Sequence, residues 1–168
     1  MFSVNDYVMY GMTGVCKVVD IEEERINNKN QEYYVLNPVY AKNTIIKTPV
    51  NNQKVMIRNL ITRADVDSLI NDIPNNEVLW IEDEKSRNNE FKSMVKTGKC
   101  EELIKVVRSI YMNKRKKTLK GKKIYKGDEV IMQTAEKLLN EEFATILDIT
   151  PEEVPLYIKH HVPNEQIS

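Results

Sequence analysis

The chain has 168 residues, of which 41% are hydrophobic and 30% are charged, and its formal net charge is zero. This length and composition allow a buried core in one domain or two small ones, and they exclude a chain that is disordered throughout. Apolar runs fall far short of the roughly 20 residues that a membrane span needs, and the first residues lack the pattern of a secretory signal. We therefore expect a cytoplasmic protein with no membrane contact.

Short strands are predicted in the first third of the chain, where Val, Ile and Tyr are frequent. They cover residues 6–10, 15–25, 32–36, 44–48 and 54–57. Turn-forming residues separate the first three strands: Gly11 and Gly14 lie in the first turn, and residues 27–30 form the second. Five short antiparallel strands in so few residues predict a small, strongly bent barrel.

Helices are predicted in the rest of the chain, because the hydrophobic period changes from two residues to about 3.6. The predicted helices begin at Thr62, run over residues 81–96, 103–115 and 127–147, and begin again at Thr150. Gly98 lies at the C-terminal cap position of the second helix. The predicted fold class is thus α+β, with a five-stranded antiparallel barrel over residues 1–58 and an all-helical domain over residues 59–168.

The third predicted helix carries an apolar stripe at spacings of three and four residues. The stripe consists of Leu103, Val106, Val107, Ile110 and Tyr111. This stripe places Lys105, Arg108 and Arg115 on the opposite face of the helix, toward solvent. One face is therefore expected to pack on a core while the other offers positive charge.

Residues 105–126, which we call the basic segment, contain ten basic residues and no acid. The basic residues are Lys105, Arg108, Lys114, Arg115, Lys116, Lys117, Lys120, Lys122, Lys123 and Lys126. Such a dense positive run is typical of a surface that binds a polyanion, most simply the phosphates of a nucleic acid. The alternative is a solvated charged loop without a partner.

The sequence contains no motif of a phosphate-binding loop and no nucleophile beside a local base. His160 and His161 are adjacent, so on a helix they point in different directions and make a poor metal pair. We therefore expect that the protein is not an enzyme and that it binds no cofactor, no metal and no small-molecule substrate. One alternative remains: Glu82, Asp83 and Glu84 could hold a divalent ion for a metal-dependent nucleic-acid enzyme, although acids at a helix start more often complement its dipole.

Trp80 has two interpretations. On a helix continued back by one residue, its indole would lie on the same stripe as Phe91 and pack in the core. Alternatively, an exposed indole on a basic domain can wedge against bases in a DNA minor groove, with Arg87 reaching a phosphate.

A family resemblance rests on motifs in both halves of the chain. The first half carries Tyr33-Tyr34-Val35-Leu36, Ile46-Lys47-Thr48-Pro49 and Lys54-Val55-Met56-Ile57-Arg58, and the second carries Val106-Val107-Arg108-Ser109-Ile110-Tyr111 and Ala135-Glu136-Lys137-Leu138-Leu139. In order and spacing these motifs resemble the CarD/CdnL family of bacterial transcription regulators. The resemblance covers nearly the whole chain, from its start to about residue 147.

The resemblance implies a non-enzymatic factor with two partners. A Tudor-like N-terminal barrel, shared with the transcription-repair coupling factor, would bind the RNA polymerase β subunit by edge-strand pairing. Lys47, between Ile46 and Thr48, matches a polymerase-contacting position, and Arg25 lies near a second. The helical domain would bind promoter DNA and stabilise the open complex. A protein-docking module that does not bind DNA is the remaining alternative.

The chain also departs from the family. The resemblance places the DNA-wedging Trp of relatives one helical turn beyond Trp80, at Glu84 or, one residue out, at Asp83. Either Trp80 acts from this earlier position or this member lacks the wedge, while Arg87 matches a family Arg. Basic residues that relatives lack are expected to strengthen phosphate contact. They include Lys116, Lys117, Lys122 and Lys123.

Overall fold

The computed structural model describes residues 1–163 and contains two compact units, Met1–Leu60 and a second that starts at Ile61. The first unit is a five-stranded antiparallel sheet, and the second contains five α-helices. The α+β fold class is therefore confirmed.

The strands of the first unit are β1 (Tyr7–Tyr10), β2 (Gly14–Ile26), β3 (Lys29–Pro38), β4 (Ile46–Pro49) and β5 (Ile57–Asn59). They pair in the order β4-β3-β2-β1-β5. A buried cluster on one face forms the core of this unit, because alternate side chains of a strand share a face. The cluster consists of Val8, Cys16, Val18, Tyr34 and Leu36.

Strands β2 and β3 form the longest hairpin. Asn27 and Asn28 connect them with φ angles of 50° and 61°, which is the left-handed backbone of a tight type I′ hairpin turn. The pairing register shifts between Val18 and Asp20, where a bulge bends β2. The turn predicted over residues 27–30 is therefore confirmed at Asn27 and Asn28, whereas Lys29 and Asn30 already belong to β3.

The sheet is open, so the expected closed barrel is wrong. Strands β4 and β5 are the two edges, and within residues 1–163 neither edge pairs with a further strand. The fifth strand also lies later than the predicted residues 54–57, because the Asn52 side chain holds a turn there. Its Oδ1 accepts hydrogen bonds from the backbone N of Lys54 and Val55, and its Nδ2 donates to the carbonyl of Val55.

The helices of the second unit are α1 (Arg63–Asp72), α2 (Glu84–Lys96), α3 (Cys100–Leu119), α4 (Lys126–Leu147) and α5 (Val154–His161). Within residues 1–163, no helix has both the length and the apolar character to cross a membrane. Several ends follow the predicted signals: Thr62 and Asp65 form a capping box before α1, and Gly98, with φ 66°, follows α2.

The core of the helical unit forms largely where α3 and α4 pack together. Phe91, Leu103, Ile110, Leu138 and Phe143 are at most 1% exposed. On α4, Val130 is an apolar residue that is 52% exposed. Asp128 and Ile131, on either side of it, are buried, so Val130 lies on the outward face of α4.

A buried carboxylate joins distant parts of this unit. Glu142 is 0% exposed, and its Oε2 accepts a hydrogen bond from Ile61 N at 3.0 Å. Its Oε1 lies 3.2 Å from the Cys100 Sγ, which donates to it. The start of the unit, the start of α3 and the C-terminal part of α4 therefore meet at one side chain.

Candidate polymerase and nucleic-acid contacts

Edge strand β4 alternates between core and solvent. Ile46 is half-buried against the core cluster and Thr48 is only 3% exposed, whereas Lys47 points outward. Of the predicted polymerase contacts on this strand, Ile46 and Thr48 therefore offer mainly backbone groups, and Lys47 offers an exposed side chain.

The Lys47 ammonium lies between two carboxylates of strand β2. Its Nζ is 2.5 Å from Glu22 Oε2 and 2.7 Å from Glu24 Oε1, and the three side chains are 41% to 45% exposed. The hydrogen bonds that Lys47 donates to Glu22 and, second in size, to Glu24 raise the pKa of Lys47 above its ordinary value. Arg25 follows on β2 and is exposed opposite Asn30. An acidic partner group must therefore compete with two carboxylates for Lys47.

Trp80 lies before α2, in a segment without regular secondary structure, so the prediction that the helix continues back to Trp80 is wrong. The ring centroids of Trp80 and Phe91 are 6.4 Å apart, and the Arg87 guanidinium lies 4.3 Å from the Trp80 ring centroid. The indole is half-buried, so it packs on Phe91 without being enclosed. The helix begins later because the Asp83 carboxylate accepts hydrogen bonds from the backbone N and Oγ of Ser86.

Two helices hold the backbone on either side of Trp80. Ser109 of α3, which is 1% exposed, accepts a hydrogen bond from Leu79 N through its Oγ at 3.0 Å. Arg87 Nη1 of α2 donates to the carbonyl oxygens of Ile81 at 2.9 Å and Glu82 at 3.3 Å. The segment that carries Trp80 is thus fixed before any ligand binds.

Arg87 is turned into the protein and away from solvent, contrary to its predicted role as a phosphate contact. Its Nε and Nη2 donate to Asp128 Oδ1 at 3.0 Å and Oδ2 at 2.8 Å. The two side chains are 3% and 0% exposed, respectively. This two-point ion pair joins α2 to the first turn of α4. The sequence does not predict Asp128 as the partner of Arg87, because an acid in the first turn of a helix ordinarily complements the helix dipole.

The outer part of the basic segment presents its charges to solvent. The exposed members are Arg115, Lys116, Lys120, Lys122, Lys123 and Lys126, and Lys117 is half-buried. Lys116 and Lys117 lie in the last turn of α3, where cations complement the dipole. Gly121, with φ 69°, then ends the helix, and Lys122 N donates to the carbonyl of Lys117. The lysines expected in one loop therefore divide between a helix end and a linker.

The inner part of the basic segment differs from expectation. Arg108 is half-buried, and its Nη1 donates to the backbone oxygens of Ile73 and Asn76. Ile73 is at the end of α1, where helix carbonyls lack donors within the helix. The expectation that Arg108 faces solvent is therefore wrong, and Lys105 is half-buried as well.

The acids before α2 have a structural role. Asp83 caps the helix and Glu84 is its first residue, where a negative charge complements the dipole. Hydrogen bonding to Ser86 lowers the pKa of Asp83 below its ordinary value. In the part of the chain that the structure describes, no group of three or more His, Cys, Asp or Glu side chains is placed to hold a metal ion.

Comparison with known proteins finds a family model on each unit. Residues 2–61 match the CarD-like/TRCF RID domain, and residues 74–159 match the CarD C-terminal domain. The chain is also 24% identical over 157 residues to YdeB of Bacillus subtilis (strain 168), whose name describes it as a candidate transcription factor. That alignment covers 92% of this chain and 97% of YdeB.

These matches point to a transcription regulator and not to an enzyme. The chain belongs to the CarD family, as the resemblance of its motifs indicated.

Proposed function

We propose that this chain binds the β subunit of RNA polymerase through its sheet unit and promoter DNA through its helical unit, and that it thereby stabilises the open complex. The observation that carries the proposal is the presence, in one chain, of a CarD-like/TRCF RID domain followed by a CarD C-terminal domain. A factor with this role acts in the cytoplasm, beside the polymerase.

The open edge of β4 supports the polymerase contact. This strand pairs with β3 on one side, and among residues 1–163 no strand pairs with its other side. Unpaired backbone groups on such an edge can add a strand from a partner, while neighbouring side chains select the partner. Lys47 is the exposed basic side chain on this edge, so it is the selecting residue.

Binding of the chain to an isolated lobe of the RNA polymerase β subunit, measured by biolayer interferometry, tests this contact. Lys47→Glu places a third carboxylate beside Glu22 and Glu24 and should weaken binding by roughly tenfold or more. The melting temperature should change little, because exposed ion pairs contribute little to stability. Lys54→Glu alters an exposed lysine in the loop after β4 and is the matched control. Unchanged affinity of Lys47→Glu would remove Lys47 from the interface, and no binding by the unaltered chain would refute the polymerase contact.

The exposed lysines of the basic segment support the DNA contact. Phosphate contacts release counterions, so binding should weaken steeply as salt rises. A test variant replaces four lysines of the basic segment by Gln: Lys116, Lys117, Lys122 and Lys123. A control variant makes the same replacement at four exposed lysines elsewhere in the unit: Lys96, Lys99, Lys137 and Lys159. The test variant should lower the slope of log affinity against log salt by roughly 3 to 4, at about 0.9 per duplex contact. An unaltered slope would leave a docking module whose basic segment has no part in DNA binding.

Trp80 contributes through the part of its ring that Phe91 and Arg87 leave exposed. We propose that this part packs against bases at the upstream edge of the melted region, from a position one turn before Glu84. Trp80→Ala should then shorten the lifetime of the open complex on a promoter. A normal lifetime would leave the basic segment as the DNA contact without Trp80.

A further inference from the structure

A polar groove of about 330 Å³ lies between the exposed face of α2 and the ring of Tyr125, the residue just before α4. Its lining residues are Glu84, Lys85, Asn88, Asn89, Lys92 and Tyr125. The helical members recur at spacings of three and four residues, so they share one face of α2. Neither Tyr125 nor this face was a predicted contact.

The buried ion pair explains why these elements lie together. Arg87 lies in the first turn of α2 and Asp128 in the first turn of α4, so their bond holds the two helix starts side by side. Tyr125 precedes α4 by one residue and is therefore placed beside α2. The end of the basic segment is brought to the same place.

Gly127 is required for the position of the Tyr125 ring. A Cβ atom at Gly127 would lie 2.6 Å from Tyr125 Cε1 and 3.1 Å from Asn88 Oδ1. The ring thus rests on the backbone of Gly127, against α2, while Tyr125 as a whole is 43% exposed. Any side chain at position 127 must displace the ring.

The chemistry of the groove suits a sugar–phosphate strand. Lys85 and Lys92 are exposed, and lysines of the basic segment flank Tyr125 in the chain. The ammonium groups can contact successive phosphates, and the exposed part of the Tyr125 ring can pack on a sugar between them. Glu84 also lines the groove and opposes an anion, but the two lysines outnumber it.

We propose that this groove binds the sugar–phosphate backbone of DNA, and so extends the DNA-binding surface from the basic segment onto α2. The inference rests on the proposed DNA binding of the helical unit. Contacts of this kind fix the position of the protein on DNA without reading the sequence.

The first test measures binding of the full chain to labelled duplex DNA by fluorescence anisotropy over a range of salt. Lys85→Gln/Lys92→Gln should lower the slope of log affinity against log salt by roughly 2, at about 0.9 per contact. The control, Lys99→Gln/Lys137→Gln, removes the same charge from exposed lysines elsewhere in the unit and should keep the slope. If the unaltered chain binds DNA and the slope of Lys85→Gln/Lys92→Gln is unchanged, the groove proposal is overturned while the proposed DNA binding of the helical unit stands. Absence of binding by the unaltered chain would instead overturn the proposed DNA binding.

The second test separates binding from folding. Gly127→Ala introduces a good helix former within α4, so the melting temperature should not fall, yet displacement of the Tyr125 ring should weaken DNA binding several-fold. Glu84→Gln removes the opposing charge and should strengthen binding. Unchanged affinity in Gly127→Ala, or weaker binding in Glu84→Gln, would show that the groove is not occupied by DNA.

Discussion

The ion pair between Arg87 and Asp128 should be a major determinant of the stability of the helical unit. Arg87→Met leaves the carboxylate of Asp128, which is 0% exposed, without its partner, and Asp128→Leu does the same to the guanidinium. Removing one member of a buried pair costs roughly 3 to 5 kcal/mol. For a unit of about 100 residues, each kcal/mol shifts the melting temperature by roughly 4 °C. Each single variant should therefore melt roughly 12 to 20 °C below the unaltered chain.

The double variant Arg87→Met/Asp128→Leu separates charge from packing. Apolar replacement of both partners is often neutral, because no uncompensated charge stays buried. Two carbonyl groups, those of Ile81 and Glu82, nevertheless lose the donor that Arg87 provides. At about 1 kcal/mol for each lost hydrogen bond, the double variant should lose roughly 1 to 2 kcal/mol, less than either single variant.

Urea unfolding followed by tryptophan fluorescence measures these differences, since Trp80 is the single Trp of the chain and lies on Arg87. Variants of Asp67 and Lys99, both exposed, control for the loss of one charge. A loss below about 1 kcal/mol in both single variants would refute the reasoning, because it falls under the known cost of an unpaired buried charge. So would a double variant less stable than either single variant.

Three further changes test other contacts. Trp80→Ala should cost roughly 1 to 3 kcal/mol in urea unfolding followed by circular dichroism, since this variant has no Trp; this is less than the loss of an enclosed indole, because the ring is half-buried. Burial raises the pKa of Glu141 above its ordinary 4.5, so the folded state binds this proton more tightly and stability falls as pH rises from 4.5. Glu141→Gln should accordingly be more stable than the unaltered chain at neutral pH, and the difference should shrink in acid. Thr62→Ala should lose about 1 kcal/mol of thermal stability with its cap.

Features that depend on neighbouring residues could be predicted from the sequence. The capping box of Thr62, the helix end at Gly98 and the turn at Asn27 each arise from contacts a few residues apart. The strand predicted at residues 54–57 lies later in the structure, because the Asn52 side chain forms a turn that strand propensity alone does not reveal.

The contacts that shape the candidate site could not be predicted, because they join residues distant in the chain. Arg87 and Asp128 are 41 positions apart, and nothing local distinguishes a phosphate-binding Arg from one with a buried partner. The salt bridges of Lys47 follow from strand register, which sets its distance from Glu22 across an intervening strand. Closure of a sheet likewise depends on whether its two end strands meet, and strand propensity carries no information on that.

The hydrogen bond between Ile61 and Glu142 has a consequence for the order of folding during synthesis. Ile61 leaves the ribosome 81 residues before its acceptor, so the segment that leads into α1 lacks this partner until most of α4 has been made. The pairings of the sheet, in contrast, all lie within the first 60 residues. The sheet unit can therefore fold on the nascent chain while the helical unit waits for long-range contacts, which form slowly. A newly made chain would then have its sheet edge in place before its helical unit is complete.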